Sequence, residues 1–151
     1  MAIERTLVIV KPDGVQRGLV GPILGRLEAR GLKLIGLKFL QVQQSLAEKH
    51  YAEHLGKPFY PGLLKYVTSS PVAVACFEGN NAVQIVRNTV GATSPLNASA
   101  GTIRGDYAVD IGRNLIHASD APATADREVA LWFEPSELVS YERSNDHWIF
   151  E

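Results

Sequence analysis

Apolar residues occur along the chain in short runs that alternate with amphipathic stretches, a pattern typical of a protein that mixes strands and helices. The β-branched run at residues 6–10 predicts a strand, and the Lys-Pro-Asp-Gly that follows it predicts a turn. Apolar residues at helical spacing within residues 20–27 predict a helix that ends at Gly31. Residues 32–42 then predict a second, longer strand.

The middle of the chain continues this alternation. Ser45 and Glu48 have the spacing of a capping box and predict a helix that begins there, before a rigid turn at residues 57–62 and a short helix. Residues 71–77 predict a buried strand, and Asn81 is expected to cap the helix that follows.

A loop of about twenty residues leads from Gly91, where that helix ends, to a short apolar strand at residues 114–117, and loops of such length are usually functional or disordered. The last helix is predicted over residues 124–133. Asp126 and Glu128 would lie in its first turn, where acidic residues interact favourably with the helix dipole.

Two architectures fit this order of elements. An α+β, ferredoxin-like split β-α-β sandwich would have a four-stranded antiparallel sheet with helices packed on it, plus the long loop and a C-terminal tail. A doubly wound parallel sheet also fits the alternation. The first strand is not followed by Gly-x-Gly-x-x-Gly and there is no Walker loop, which disfavours the dinucleotide-binding version of that sheet.

Composition narrows the class of protein. The 151 residues are 46% hydrophobic and 21% charged, which predicts a single domain over residues 1–151. A net charge of -1 offers no basic surface for nucleic acid, and no apolar run suits a membrane, so neither partner is expected. No signal peptide precedes the first strand, and a cytoplasmic location is therefore expected. Cys76 is the single cysteine and is predicted to be a buried hydrophobic residue.

The histidines are the first candidates for chemistry. His50 and His54 lie four residues apart on one helix face, a spacing that can bind a metal, but no third ligand is evident and a solvated face is expected. His147 lies in a polar tail. His117 is different, because an apolar strand carries it to the end of the sheet, where both a nucleophile and a structural histidine fit the pattern.

Residues suited to an anionic substrate surround His117 in the sequence. Arginine forks together with Mg²⁺ are the usual way to hold a nucleoside triphosphate. Each residue alone also fits a solvated surface charge, so their convergence on one site is a hypothesis. The candidates are Lys11, Arg87, Thr93, Arg104, Arg113 and Asn114.

Five segments together resemble the nucleoside diphosphate kinase family: VKPDGVQRGLVGPIL, HYAEHLGKPFYPGL, GAT, GTIRGD and IGRNLIHASD. The resemblance covers nearly the whole chain and is most specific in the last two segments. It implies a phosphotransferase that moves the γ-phosphoryl group of a nucleoside triphosphate, such as ATP or GTP, to a nucleoside diphosphate. The reaction would be ping-pong, through a phosphohistidine, and would maintain the (d)NTP pools.

The resemblance also implies catalytic roles. His117 matches the nucleophile, which must attack as a neutral imidazole, and Glu128 matches the residue that accepts the proton of its second nitrogen. Lys11 matches a residue that holds the sugar and reaches toward the transferred phosphate. Tyr51 matches a hydroxyl beside the histidine and the lysine. Without the family, Glu128 would be read as a helix-terminus charge and Tyr51 as a half-buried helix residue.

The remaining implied positions bind the nucleotide. The phosphates would be held by Arg87, Thr93 and Arg104, with Mg²⁺ bridging the phosphates and held mainly by them and by water, so that no protein metal ligand is expected. Phe59 matches the aromatic residue that stacks on the base, and Val109 the apolar residue opposite it. The resemblance assigns Asn114 to the sugar hydroxyls, and Ser119 would support the phosphate and Glu128.

Three further expectations follow from the resemblance. The assembly is expected to be a homohexamer, with a homotetramer as the alternative. Ser94 and Ala100 depart from the asparagine and proline common in the family, which affects the loop and its subunit contacts more than the chemistry. A non-catalytic binding module and a phosphotransferase that acts on a protein remain alternatives, and DNA binding is weakly supported without a basic stripe.

Overall fold

The computed structural model describes residues 3–151. The chain forms four strands and seven helices within that range. They are β1 (Ile3–Val10), α1 (Pro12–Gln16), α2 (Val20–Ala29), β2 (Lys33–Leu40), α3 (Gln44–His50), α4 (Tyr60–Val67), β3 (Val72–Asn80), α5 (Ala82–Val90), α6 (Ile103–Tyr107), β4 (Ile116–Ala118) and α7 (Pro122–Trp132). Short 3₁₀ turns lie at Ala52–His54, Pro95–Asn97, Pro135–Glu137 and Asp146–Trp148.

The four strands form one sheet in the order β2-β3-β1-β4, and each neighbouring pair is antiparallel. This confirms the split β-α-β sandwich and shows that the doubly wound parallel alternative is wrong. Strand β1 lies in the interior of the sheet, where Ile9 pairs with His117 on β4. The sheet thereby sets the end of β1 directly beside the histidine.

Both faces of the sheet are covered, so β1 is buried on both sides. Val8 and Val10 pack in a core with α2 and α5, whereas Leu7 and Ile9 pack in a second core with α3, α4 and α7. A continuous apolar run at residues 6–10 is the sequence pattern of such a strand. Cys76 on β3 is fully buried, as predicted.

Two of the predicted helix caps are not formed as expected. Helix α3 begins at Gln44 after Gln43, with no side-chain cap, so the predicted capping box of Ser45 is wrong. Asn81 does precede α5, but its φ of 56° is left-handed and its side chain makes no capping bond. The Val83 N–H is instead bound by the Glu4 carboxylate at 3.1 Å, a contact from β1 that local sequence cannot reveal.

The region after α5 also departs from the prediction in detail. The long loop is not irregular throughout, because it contains a 3₁₀ turn and α6. Helix α7 begins at Pro122, so Asp126 and Glu128 lie beyond its first turn and the predicted dipole position is wrong. None of the helices in residues 3–151 combines the length and the apolar character that crossing a membrane requires.

Candidate active site

A cavity of ≈ 250 Å³ opens beside β4, between the end of β1 and helices α5, α6 and α7. Seven of the residues predicted from the sequence share its lining. They are Lys11, Arg87, Thr93, Arg104, Asn114, His117 and Glu128. The same wall includes Glu53, Ile116, Ala118, Asp120 and Thr124. The predicted convergence of basic and polar groups around His117 is therefore present.

His117 and Glu128 form a hydrogen-bonded pair at the base of this cavity. The His117 Nε2 atom lies 2.9 Å from Glu128 Oε1, and the Ser119 hydroxyl donates to the same oxygen at 2.7 Å. Glu128 is 4% exposed and Ser119 is fully buried, while the His117 side chain keeps 22% of its surface exposed. The carboxylate is thus buried behind an imidazole that solvent reaches.

The charge on Glu128 determines which ring nitrogen of His117 carries the proton. Burial alone would raise the pKa of this carboxyl, but the hydrogen bonds from His117 and Ser119 overcome that effect and lower the pKa to about 2. An ionised carboxylate only accepts hydrogen bonds, so Nε2 of His117 is the protonated nitrogen. In the neutral ring the lone pair therefore lies on Nδ1, which is available as a nucleophile.

His50 lies behind this pair and was not predicted there. Its ring is 3% exposed and meets the His117 ring edge to face at a centroid distance of 4.6 Å. Trp132 Nε1 donates to His50 Nδ1 at 3.0 Å, and burial lowers the pKa of His50 to about 3, so it stays neutral. The expectation of a solvated face at His50 is wrong. The i, i+3, i+4 spacing of Ala47, His50 and Tyr51 on one side of α3 was the signal for burial.

The histidine pair predicted as a weak metal candidate does not come together. His54 lies against Phe59 and Lys57 instead, whereas His50, His117 and Glu128 place ligand atoms within 4.8 Å of one another. This trio is nitrogen-rich and already bonded to Ser119 and Trp132, and it does not match the all-oxygen coordination that Mg²⁺ prefers.

Lys11 and Asn114 form a second bonded pair on the cavity wall. Lys11 Nζ donates to Asn114 Oδ1 at 2.9 Å, and the Asn114 amide donates to the Thr93 carbonyl at 2.9 Å. Burial and the neighbouring positive charge of Arg104 lower the pKa of Lys11 to about 8. The lysine therefore loses its charge at a pH far below that of an exposed lysine.

The two arginines are held by backbone carbonyls. Arg104 is buried and donates to the carbonyls of Asn114 (3.2 Å), Gly91 (3.2 Å) and Ile116 (2.6 Å). Arg87 donates to the Ala118 carbonyl at 3.2 Å. Burial and the charge of Arg87 lower the pKa of Arg104 to about 10, so Arg104 stays cationic at neutral pH. Two guanidinium groups held on the wall of one cavity favour an anionic ligand there.

Five predicted residues lie outside the cavity wall. Ser119 is buried behind Glu128, and Arg113 is exposed with its guanidinium over the Tyr66 ring. The other three are Tyr51, Phe59 and Val109. Tyr51 is buried, and its ring meets His50, with burial and the charge of Glu128 raising the pKa of its hydroxyl to about 12. Phe59 is 52% exposed at the start of α4. Val109 is 97% exposed, so the two apolar side chains predicted to hold a base are both open to solvent.

The sequence of this chain is similar to those of known proteins. The family model described as nucleoside diphosphate kinase matches residues 4–138. A nucleoside diphosphate kinase of Herpetosiphon aurantiacus is 61% identical over 149 residues, which is 99% of this chain and 100% of that protein. The corresponding protein of Archaeoglobus fulgidus is 53% identical over 99% of this chain and 99% of its own length.

Solved structures agree with this comparison. The nucleoside diphosphate kinase family protein from Babesia bovis superposes with a TM-score of 0.95 at 50% identity, covering 97% of this chain and 99% of that one. A halophilic nucleoside diphosphate kinase from Halobacterium salinarum, in complex with CDP, gives a TM-score of 0.96 at 50% identity, covering 99% and 100%. The similarity thus extends over both sequence and fold.

Proposed function

Because the chain belongs to the nucleoside diphosphate kinase family, whose activity is phosphoryl transfer between nucleotides, we propose that His117 is the residue that carries the phosphoryl group. The observation that supports this most directly is the bond from His117 Nε2 to the ionised Glu128 carboxylate, which leaves Nδ1 as the nucleophilic nitrogen. The surrounding cationic groups suit the phosphates of a nucleotide.

The reaction divides into two half-reactions that mirror each other. The Nδ1 lone pair attacks the γ-phosphorus of the triphosphate, and the bond from phosphorus to the bridging oxygen breaks with its electrons leaving on the diphosphate. A second nucleoside diphosphate then enters. Its terminal β-phosphate oxygen attacks the phosphohistidine phosphorus, and the electrons of the N–P bond return to Nδ1. Glu128 keeps Nε2 protonated and stabilises the positive ring while it carries phosphate.

The phosphates are assigned to Arg87, Thr93 and Arg104. The sugar hydroxyls are assigned to Lys11 and Asn114, and Lys11 also reaches toward the transferred phosphate. The fixed guanidinium groups need no reorganisation when negative charge develops on the transferred group. Tyr51 and Ser119 act from behind the pair, Tyr51 by packing on His50 and Ser119 by donating to Glu128.

We expect Mg²⁺ to enter with the nucleotide. Apart from Glu128, the carboxylates on the described wall of the cavity are Glu53 and Asp120, too few for a complete protein-built octahedral site. The lining fits an ion held mainly by phosphate oxygens and water, with Asp120 offering a further oxygen. The metal would neutralise phosphate charge during transfer.

Labelling tests the proposal directly. Protein mixed with γ-labelled ATP and Mg²⁺ should take up label that is lost in acid, survives base and moves to added GDP. A protein that binds nucleotide without taking up label would be a binding module, and label that moves only to a protein acceptor would indicate a signalling phosphotransferase. Either result would overturn the proposed exchange.

The lowered pKa of Lys11 predicts a pH dependence. Between pH 7.5 and 9.5, kcat/KM should fall as the pH passes about 8, because the free enzyme loses the Lys11 charge that meets the phosphates. In Lys11→Arg this decline should be absent, since a guanidinium stays protonated. Steady-state kinetics over this range is the measurement, with the exposed Lys49→Arg as the matched control. An unchanged decline in Lys11→Arg would contradict the assignment.

Loss of base stacking predicts a change in KM that every nucleotide shares. In Phe59→Ala, KM should rise about tenfold for ATP, GTP and CTP alike, with kcat little changed, because a stacked base contributes binding and any base offers a π-face. Leu55→Ala, an exposed apolar residue of the same segment, is the control. A KM change confined to one base would show that Phe59 reads base identity.

We propose a homohexamer, with a homotetramer as the alternative. Strand β2 is at the edge of the sheet and exposes Leu37 (55%) and Phe39 (66%), a combination that pairs readily with a second chain. Light scattering would give six or four times the chain mass of 16.5 kDa. A monomer in solution would reject both. A cytoplasmic location stays a prediction.

A further inference from the structure

The turn immediately before β4 has an unfavourable backbone conformation. Leu115 has a φ of 75°, and the Ile116 N–H bonds to the Asn114 carbonyl at 2.9 Å, which makes a γ-turn centred on Leu115. This form of γ-turn is rare and strained, and a bulky non-glycine residue seldom adopts it. The Leu115 side chain is fully buried. Such a conformation persists only where the surroundings hold it.

The surroundings do hold it, through both peptide groups of Leu115. The Leu115 carbonyl accepts from the Lys11 N–H at 2.8 Å, and the Leu115 N–H donates to Asp13 Oδ2 at 3.1 Å. The other oxygen of Asp13 accepts a hydrogen bond from the Tyr66 hydroxyl. The Arg113 guanidinium lies 4.5 Å from the centre of the Tyr66 ring. Tyr66 thus orients the carboxylate that fixes the turn.

The turn also aims the groups on either side of it. Asn114 precedes Leu115 and accepts the hydrogen bond from Lys11 Nζ. His117 follows Leu115 by two residues, on a strand only three residues long. Arg104 bonds to the carbonyls that flank the turn, those of Asn114 and Ile116. A relaxation of φ at Leu115 would therefore shift His117, Asn114 and Arg104 relative to one another.

We propose that Tyr66, acting through Asp13, is a positioning residue for phosphoryl transfer because it holds the strained turn that aims His117. The proposal rests on the proposed function of His117 and adds a residue outside the cavity wall. Tyr66 is on α4, far in sequence from β4, and its hydroxyl is linked to the turn through Asp13.

The test is the rate of phosphohistidine formation in a single turnover. Tyr66→Phe removes the hydroxyl and keeps the ring under Arg113. We expect the rate to fall about tenfold, since small misplacements of a nucleophile are costly, while the Kd for ADP and the melting temperature stay close to those of the wild type. Tyr60→Phe, on the same helix and half-buried, is the matched control and should react at the wild-type rate.

A double-mutant cycle tests whether Tyr66 acts through Asp13. Asp13→Ala should be slower than Tyr66→Phe, and adding Tyr66→Phe to Asp13→Ala should cause no further loss. Additive losses would overturn the proposal, as would a wild-type rate in Tyr66→Phe or a loss matched by weaker ADP binding. If Asp13→Ala does not fold, the rate and the Kd of Tyr66→Phe decide alone. Absence of label on the wild type would reject the proposed function instead.

Discussion

His117→Ala is expected to reduce nucleotide phosphotransfer by at least about 10⁴-fold while ADP still binds, because removing the nucleophile of a covalent mechanism removes the intermediate itself. The phosphate and base contacts assigned above come from other residues, so binding does not require the imidazole. The measurement combines coupled-assay kinetics with calorimetric titration of ADP. The variant should also take up no label from γ-labelled ATP.

The control for this prediction is another histidine outside the site. His147 lies in the tail near the C-terminus, and His147→Ala should keep wild-type rates and wild-type labelling. If His117→Ala loses ADP binding together with activity, His117 is a structural residue and the proposed mechanism is wrong. If it retains phosphotransfer, another group carries the phosphoryl group.

Glu128→Gln is expected to lower kcat by about 10²-fold or more, with KM for nucleotides largely unchanged. A neutral amide no longer requires Nε2 to be the protonated nitrogen, and it no longer stabilises the positive ring that carries phosphate. Because the pKa of Glu128 is lowered to about 2, the wild-type carboxylate is ionised throughout the working pH range. The amide of the variant does not ionise, so raising the pH should not restore its activity.

The same helix provides the control for Glu128. Asp126 is an exposed carboxylate two residues earlier on α7, and Asp126→Asn should leave kcat unchanged. Nitrogen NMR of His117 would report the tautomer, with protonated Nε2 in the wild type and a mixture in Glu128→Gln. Wild-type turnover in Glu128→Gln would mean that this glutamate has only a structural part.

The sequence was sufficient to predict the elements and the family membership that depend on a local hydrophobic pattern or on a motif. A β-branched run buried on both faces predicted β1, and the helical spacing within residues 20–27 predicted α2. The motif segments indicated the family, which the comparisons confirmed. They also named His117 and Glu128, which the fold brings to 2.9 Å, although their catalytic roles stay predictions.

Other predictions failed where the local structure depends on contacts between segments that are distant in the sequence. Asn81 was placed correctly at the start of α5, but Glu4 from β1 binds the free N–H there. His50 was expected to face solvent. It is instead bonded to Trp132, which lies 82 residues later, so its burial could not be read from the local sequence. Leu115 was assigned to a strand, whereas Asp13 and Lys11 hold it in a γ-turn.

By itself the sequence determined the main alternation of strands and helices and, through its motifs, the family, because these follow from periodicity and motif. It also named the residues that a phosphohistidine reaction would need, whose roles stay predictions. Only the tertiary structure decided which nitrogen of His117 is free, how far the pKa of Lys11 falls and what holds the turn before β4. Those properties depend on burial and on bonds between segments far apart in the chain. Their energies arise only when the sheet sets β1 and β4 side by side.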